Sequence, residues 1–169
     1  MQTLENHEAA PHAQATKQLI FHLGNESYAL PVLKVREIIR VPDITPIPQM
    51  PAFILGVINL RGKIVPVLEL RLRFGMTQAE ISQSTCVVVA QVATPRGHSL
   101  PMGLMVDGVE DVISIAASEI EETPKFGNFN SEFVTGIAKV KDRVIAMLEL
   151  DHLLLTDSLD TISQTIPLP

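Results

Sequence analysis

Apolar residues occur along this chain in short runs rich in Val and Ile, bounded by Gly, Pro, Asn or Asp, and no amphipathic stretch of helical period lasts beyond about a dozen residues. That pattern predicts strands. A first set covers Leu19–Leu23, Ser27–Leu30, Val35–Arg40, Ile54–Asn59 and Lys63–Leu68, with Gly24-Asn25 and Arg61-Gly62 as turn signals. A second set covers Thr85–Val92, Pro101–Val106, Val109–Ile113, Thr135–Val140 and Arg143–Leu148. Leu150–Leu159 carries apolar residues at helical spacing with Asp151 near its start, which predicts a short C-terminal helix. Residues 1–17 and 160–169 read as flexible tails.

The two sets are related. YALPVLKVREII (Tyr28–Ile39) aligns with MGLMVDGVEDVI (Met102–Ile113), matching Leu30 to Leu104, Val32 to Val106, Val35 to Val109 and Ile39 to Ile113. FILGVINLRGKIVPVLELRLRF (Phe53–Phe74) pairs at a constant offset of 80 with FVTGIAKVKDRVIAMLELDHLL (Phe133–Leu154), keeping Phe53/Phe133, Gly56/Gly136 and the tripeptide Leu-Glu-Leu. Two blocks in the same order indicate an internal duplication. About five short strands per copy suit two small closed or nearly closed barrels, which also removes open sheet edges. The expected division is 18–83 for the first barrel and 84–159 for the second with its helix, with exchange of elements between them open. PDITPIPQMP (Pro42–Pro51) holds four prolines in ten residues, so the third and fourth strands are joined by a stiff, extended connector.

Charge adds to this picture. The chain of 169 residues carries a net −6, which disfavours non-specific binding to nucleic acid, and its seven aromatics are too few to serve both a core and a stacking platform. The charge is unevenly placed. From Lys34 to Arg73 seven basic residues face three acidic ones; from Asp107 to Asp160 twelve acidic residues face four basic ones. A protein that bridges partners through complementary patches fits such a division. Cys86 is the single cysteine, so neither a disulfide framework nor a multi-cysteine zinc site is expected, and a reducing compartment is the natural reading. Stretches without a charged or strongly polar side chain, such as Ala52–Ile58, are far shorter than the roughly 20 residues of a spanning helix. The N-terminus lacks the basic start and apolar block of a secretory signal.

No catalytic motif is legible: there is no P-loop, GxGxxG, HExxH or GxSxG. The histidines (His7, His12, His22, His98, His152) are scattered, so no metal or other cofactor is expected. Cys86 opens the run CVVVA and reads as a buried apolar position. Asp107, Glu110 and Asp111 in VDGVEDV read as a solvated hairpin turn, since the string lacks the ligand spacing of a calcium loop. Glu69 and Glu149 hold equivalent places in the two copies, where a carboxylate favours the start of a helical turn. A hydrolase using carboxylates of a groove between barrels is the alternative from another class.

NLRG (Asn59–Gly62) reads on its own as a hairpin with positive φ at Gly. Together with FHLGNESYALPVLKVREII, ITPIP, PAFILGVINLRGKIVPVLELRLRFG, VDGVEDV and FVTGIAKVKDRVIAMLELDHLL, it makes the chain resemble the chemotaxis coupling protein family, CheW, over about Lys17 to Asp157. The resemblance implies an all-β protein of two SH3-like five-stranded barrels, a non-catalytic adaptor without cofactor. Its implied role is to join the cytoplasmic tips of chemoreceptors (methyl-accepting chemotaxis proteins) to the regulatory domain of the histidine kinase CheA, with further copies of itself as possible array partners. It implies a cytoplasmic location at the inner face of the membrane through receptor arrays. Flagellar chemotaxis is the default pathway, and an array for surface motility or gene regulation is the related alternative. The partner contacts implied are Val35, Glu37, Gly56, Arg61 and Thr85. This chain departs from the family pattern at Glu69, where Asp is usual, and in the long TPRGHS loop, Thr94–Ser99.

Overall fold

The computed structural model describes residues 15–93, 97–122 and 133–152. Within them the chain forms eleven strands: β1 (Thr16–Leu23), β2 (Glu26–Pro31), β3 (Val35–Arg40), β4 (Ile54–Leu60), β5 (Lys63–Glu69), β6 (Cys86–Ala93), β7 (Ser99–Val106), β8 (Gly108–Ile115), β9 (Ile120–Glu121), β10 (Val134–Val140) and β11 (Arg143–Leu148). One α-helical turn, α1 (Leu70–Arg73), follows β5, and 3-10 turns occupy Val32–Lys34, Ala117–Glu119 and Leu150–His152. Of the expected C-terminal helix, the described part is that last 3-10 turn; the remainder, 153–159, lies outside the described residues. Both expected tails lie largely outside them too, but Thr16 and Lys17 already belong to β1.

The strands form two sheets, ordered β8-β1-β2-β11-β10-β9 and β3-β6-β7-β5-β4. They do not divide the chain at 83/84. The hairpin β1–β2 pairs with strands from the second copy, and the hairpin β6–β7 with strands from the first, so the copies exchange hairpins. One sheet has the expected five strands. The other has six because β9, two residues long, escapes a period-2 pattern. The duplication is visible in the register. Ala29 pairs with Met147 in the parallel β2–β11 ladder, and their counterparts Gly103 and Val67 pair in β7–β5. The same bulges recur. The β3–β6 register shifts between Val35 and Glu37, and the β8–β1 ladder skips the equivalent Glu110; β4–β5 shifts between Ile54 and Gly56, and β10–β11 between Val134 and Gly136. Bulges at equivalent places behave as designed features that bend each strand where its barrel turns.

Alternation along the central strands feeds two cores at once. In β6, Val87 and Val89 face the interior of one barrel, while Val88, Ala90 and Val92 face a larger core between the sheets. In β1, Ile20 belongs to the other barrel's interior and Leu19, Phe21 and Leu23 to the shared core. Strands buried on both faces read as unbroken apolar runs, which is why CVVVA carries no alternation. The shared core is tied by a run of aromatics, Phe21, Tyr28, Phe74 and Phe133, with successive ring centroids 5.5–5.7 Å apart. The Arg73 guanidinium lies 4.9 Å from the ring of Phe53 and 4.2 Å from that of its repeat counterpart Phe133.

Candidate functional site: a charged groove at the edge of one sheet

Arg61 occupies the tip of the β4–β5 hairpin. Both turn residues have positive φ, 52° at Arg61 and 86° at Gly62, the two-residue turn whose twist matches its strands. Asn59 closes it, its Oδ1 accepting from Gly62 N at 2.8 Å. The expected glycine is therefore half of the device, and Arg61 itself adopts the left-handed region. Its side chain reaches back to β3. Nη1 donates to Glu37 Oε1 at 3.2 Å and Nη2 to Glu37 Oε2, a two-pronged pair in which the planar fork matches the carboxylate. Arg61 is 72% exposed and Glu37 27%. The hydrogen bond from Arg61 holds the Glu37 carboxyl below its ordinary range, and Arg36 adds to that. The pair is not repeated in the other sheet, where Asp111, the counterpart of Glu37, accepts from Val112 N at 2.7 Å.

Beside the pair lies a groove of about 370 Å³ lined by Arg36, Glu37, Arg61 and Lys63 over a floor that includes Val65 and Val89. The β3 bulge turns Arg36 outward, where its Nη1 donates to Gln91 Oε1 at 2.9 Å, and Gln91 Nε2 donates to Ser99 Oγ at 3.0 Å. Three cations against one carboxylate make the groove a place for an acidic group above an apolar surface.

Of the five residues singled out from the sequence, the structure brings Glu37 and Arg61 together. Val35 packs against the shared core opposite Ala90. Gly56 is buried in β4. Thr85 stands just ahead of β6 in a turn where its Oγ1 accepts from Ser82 N at 2.8 Å; Cys86 next to it pairs with Arg40, at the far end of β3 from Val35. Sequence reasoning missed Arg36, Lys63 and Gln91 as neighbours of the pair. The excess of basic residues between Lys34 and Arg73 held that signal, but not which of them share a face.

The other carboxylates are committed elsewhere. Asp107 is not simply solvated as expected of VDGVEDV: its carboxylate accepts from Arg71 Nε at 3.0 and 3.1 Å, from Arg71 Nη2 at 2.6 Å and from Gly24 N at 2.6 Å. It thereby joins α1 of one sheet to the β1–β2 turn of the other. The hydrogen bonds from Arg71 hold its carboxyl below the usual range against the opposing effect of burial. Glu110 takes Arg143 and lies 3.4 Å from His22 Nδ1. Buried Glu69 accepts from Arg71 N at 3.1 Å, and Glu149 from Asp151 N at 3.4 Å, so both stand at the start of a helical turn. Burial pushes the Glu69 carboxyl and the Cys86 thiol up. Among the described residues no group of three or more His, Cys, Asp or Glu is placed to hold a metal ion, and no helix is long and apolar enough to cross a membrane.

The family model described as CheW-like domain matches residues 17–157. The chain is 37% identical over 142 residues to a chemotaxis protein CheW of Klebsiella aerogenes, covering 83% of this chain and 82% of that protein. It is 36% identical over 134 residues to a chemotaxis protein CheW of Rhizobium meliloti, covering 79% and 83%. The crystal structure of scaffolding protein TtCheW from Thermoanaerobacter tengcongensis superposes with a TM-score of 0.76 at 36% identity, over 86% of this chain and 96% of that one.

Proposed function

The chain belongs to the CheW-like family of non-catalytic chemotaxis scaffold proteins, and from that membership we propose that it couples the cytoplasmic tips of chemoreceptors to the regulatory domain of the histidine kinase CheA, at the inner face of the membrane. The observation that carries the reading is the Glu37–Arg61 pair beside a groove rich in cations, on an exposed edge of a rigid sheet. Surface-exposed charge at the rim of a contact sets partner choice and encounter rate. Arg61 is already held by Glu37, so a partner carboxylate must share or displace that pair rather than meet a free fork. Val35 and Thr85 complete the proposed contact set at the two ends of the β3–β6 edge.

Arg61→Ala is expected to weaken binding to a receptor fragment or to the kinase regulatory domain roughly tenfold while the melting curve stays unchanged, because the hairpin is held by its backbone and Asn59. A pull-down against both partners checks this. Equal capture of variant and wild-type protein by both would remove Arg61 from the contact. Wild-type protein captured by neither would contradict coupling itself.

A further inference from the structure

The five-stranded sheet ends at β3 and β4, and no ladder joins these two edges. Among the described residues, hydrogen bonds cross the seam at two places. One is the Glu37–Arg61 pair. The other is made by the proline-rich connector, which leaves β3 and lies back along β4: Thr45 N donates to Val57 O at 2.8 Å and Val57 N to Thr45 O at 2.9 Å. Ile44 of the connector packs on the barrel core, and Ile47 and Met50 on the shared core. Gly56 lies buried beside this bridge with φ 149°. A Cβ at that position would stand 2.1 Å from Thr45 O and 2.9 Å from Pro46 Cα, so only glycine lets the connector rest on β4. Gly136 admits β9 to β10 in the same way: a Cβ there would stand 2.9 Å from Glu121 O. Seam closure is thus common to both sheets, and the ion pair flanking it belongs to one.

We propose that Gly56 is a positioning residue for partner binding: it admits the connector to β4, closes the β3–β4 seam and so keeps Glu37 facing Arg61, without itself touching the partner. This rests on the reading of Glu37 and Arg61 as a partner contact. Buried Gly56 then belongs with the binding residues through the backbone it seats.

The test compares Gly56→Ala, Thr45→Pro, Arg61→Ala and the combinations of each seam variant with Arg61→Ala, binding each to the receptor fragment and to the kinase regulatory domain and following amide exchange at Val57. Thr45→Pro removes the donor from the opposite side of the bridge on an exposed residue, and it takes the place of Gly56→Ala if the latter does not fold. Both seam variants are expected to lose roughly tenfold in affinity, to exchange faster at Val57, and to add no further loss in the Arg61→Ala background. Multiplying losses in the combined variants, seam variants that bind like wild type, or lost binding with Val57 exchange unchanged would each overturn the proposal. Wild-type protein that binds while Arg61→Ala binds equally well would overturn the underlying site reading, and the proposal with it.

Discussion

Two carboxylates show how residue environment decides what a charge does in this fold. Asp107, held down by Arg71, stabilises the folded state above the ordinary carboxylate range, and that contribution is lost as the pH falls through its depressed folded value. Glu69, raised by burial, acts with the opposite sign: its ionised form is disfavoured in the fold, so stability rises as the pH falls through its raised folded value into the ordinary carboxylate range. Asp107→Asn is therefore expected to cost about 2 kcal/mol at pH 7 and to flatten the loss of stability below about pH 4. Urea unfolding across that pH range measures both; an unchanged acid limb would show that Asp107 is not a source of it. At this scale the sequence was legible where chemistry is local. The equivalence of Glu69 and Glu149 and the turn at Arg61-Gly62 could be read from spacing alone. The Asp107–Arg71 contact could not, because it spans 36 residues and depends on the fold that brings α1 to the end of β7.

Elements extend the same point from side chains to rows. Across the five-stranded sheet Ile38, Val88, Leu104, Leu68 and Ile54 stand in register on one face. Val88, Leu104, Leu68 and Ile54 are buried in the shared core, while Ile38, on the edge opposite Ile54, is 44% exposed. The other sheet repeats this with Leu30, Leu19 and, at the edge, Val112, 48% exposed. Leu104→Ala is expected to cost about 3 kcal/mol through the cavity it leaves, and Ile38→Ala at most about 0.5 kcal/mol; denaturant unfolding of the two variants checks the difference. Similar costs would mean that the sheets do not pack through this row. Strand positions were legible because Val- and Ile-rich runs and turn residues mark them, and the repeat was legible as matched strings. Which hairpin joins which sheet was not. Both barrels offer the same kind of apolar face, and a period-2 pattern does not name the partner strand.

For the whole molecule, an asymmetry counted along the chain survives the exchange of hairpins. Among the described residues, the charged segments 34–73, 107–122 and 133–151 supply the non-exchanged strands, so the basic excess stays with one sheet and the acidic excess with the other. An adaptor needs such distinct faces on one rigid body, and the shared core with its aromatic run and the Asp107 junction hold the faces in fixed relation. The adaptor role was legible through the order of strings around NLRG. The groove beside Arg61 was not, since it is assembled from β3, the β4–β5 hairpin and the β6–β7 hairpin of the other copy. The most direct test reconstitutes receptor-containing membranes, CheA and this protein, and measures kinase activity with and without receptor ligand. Coupling predicts that activity rises when the protein is added, responds to the ligand only in its presence, and falls short of the wild-type level with Arg61→Ala. Kinase activity that is the same with and without the protein, for every receptor tried, would contradict it.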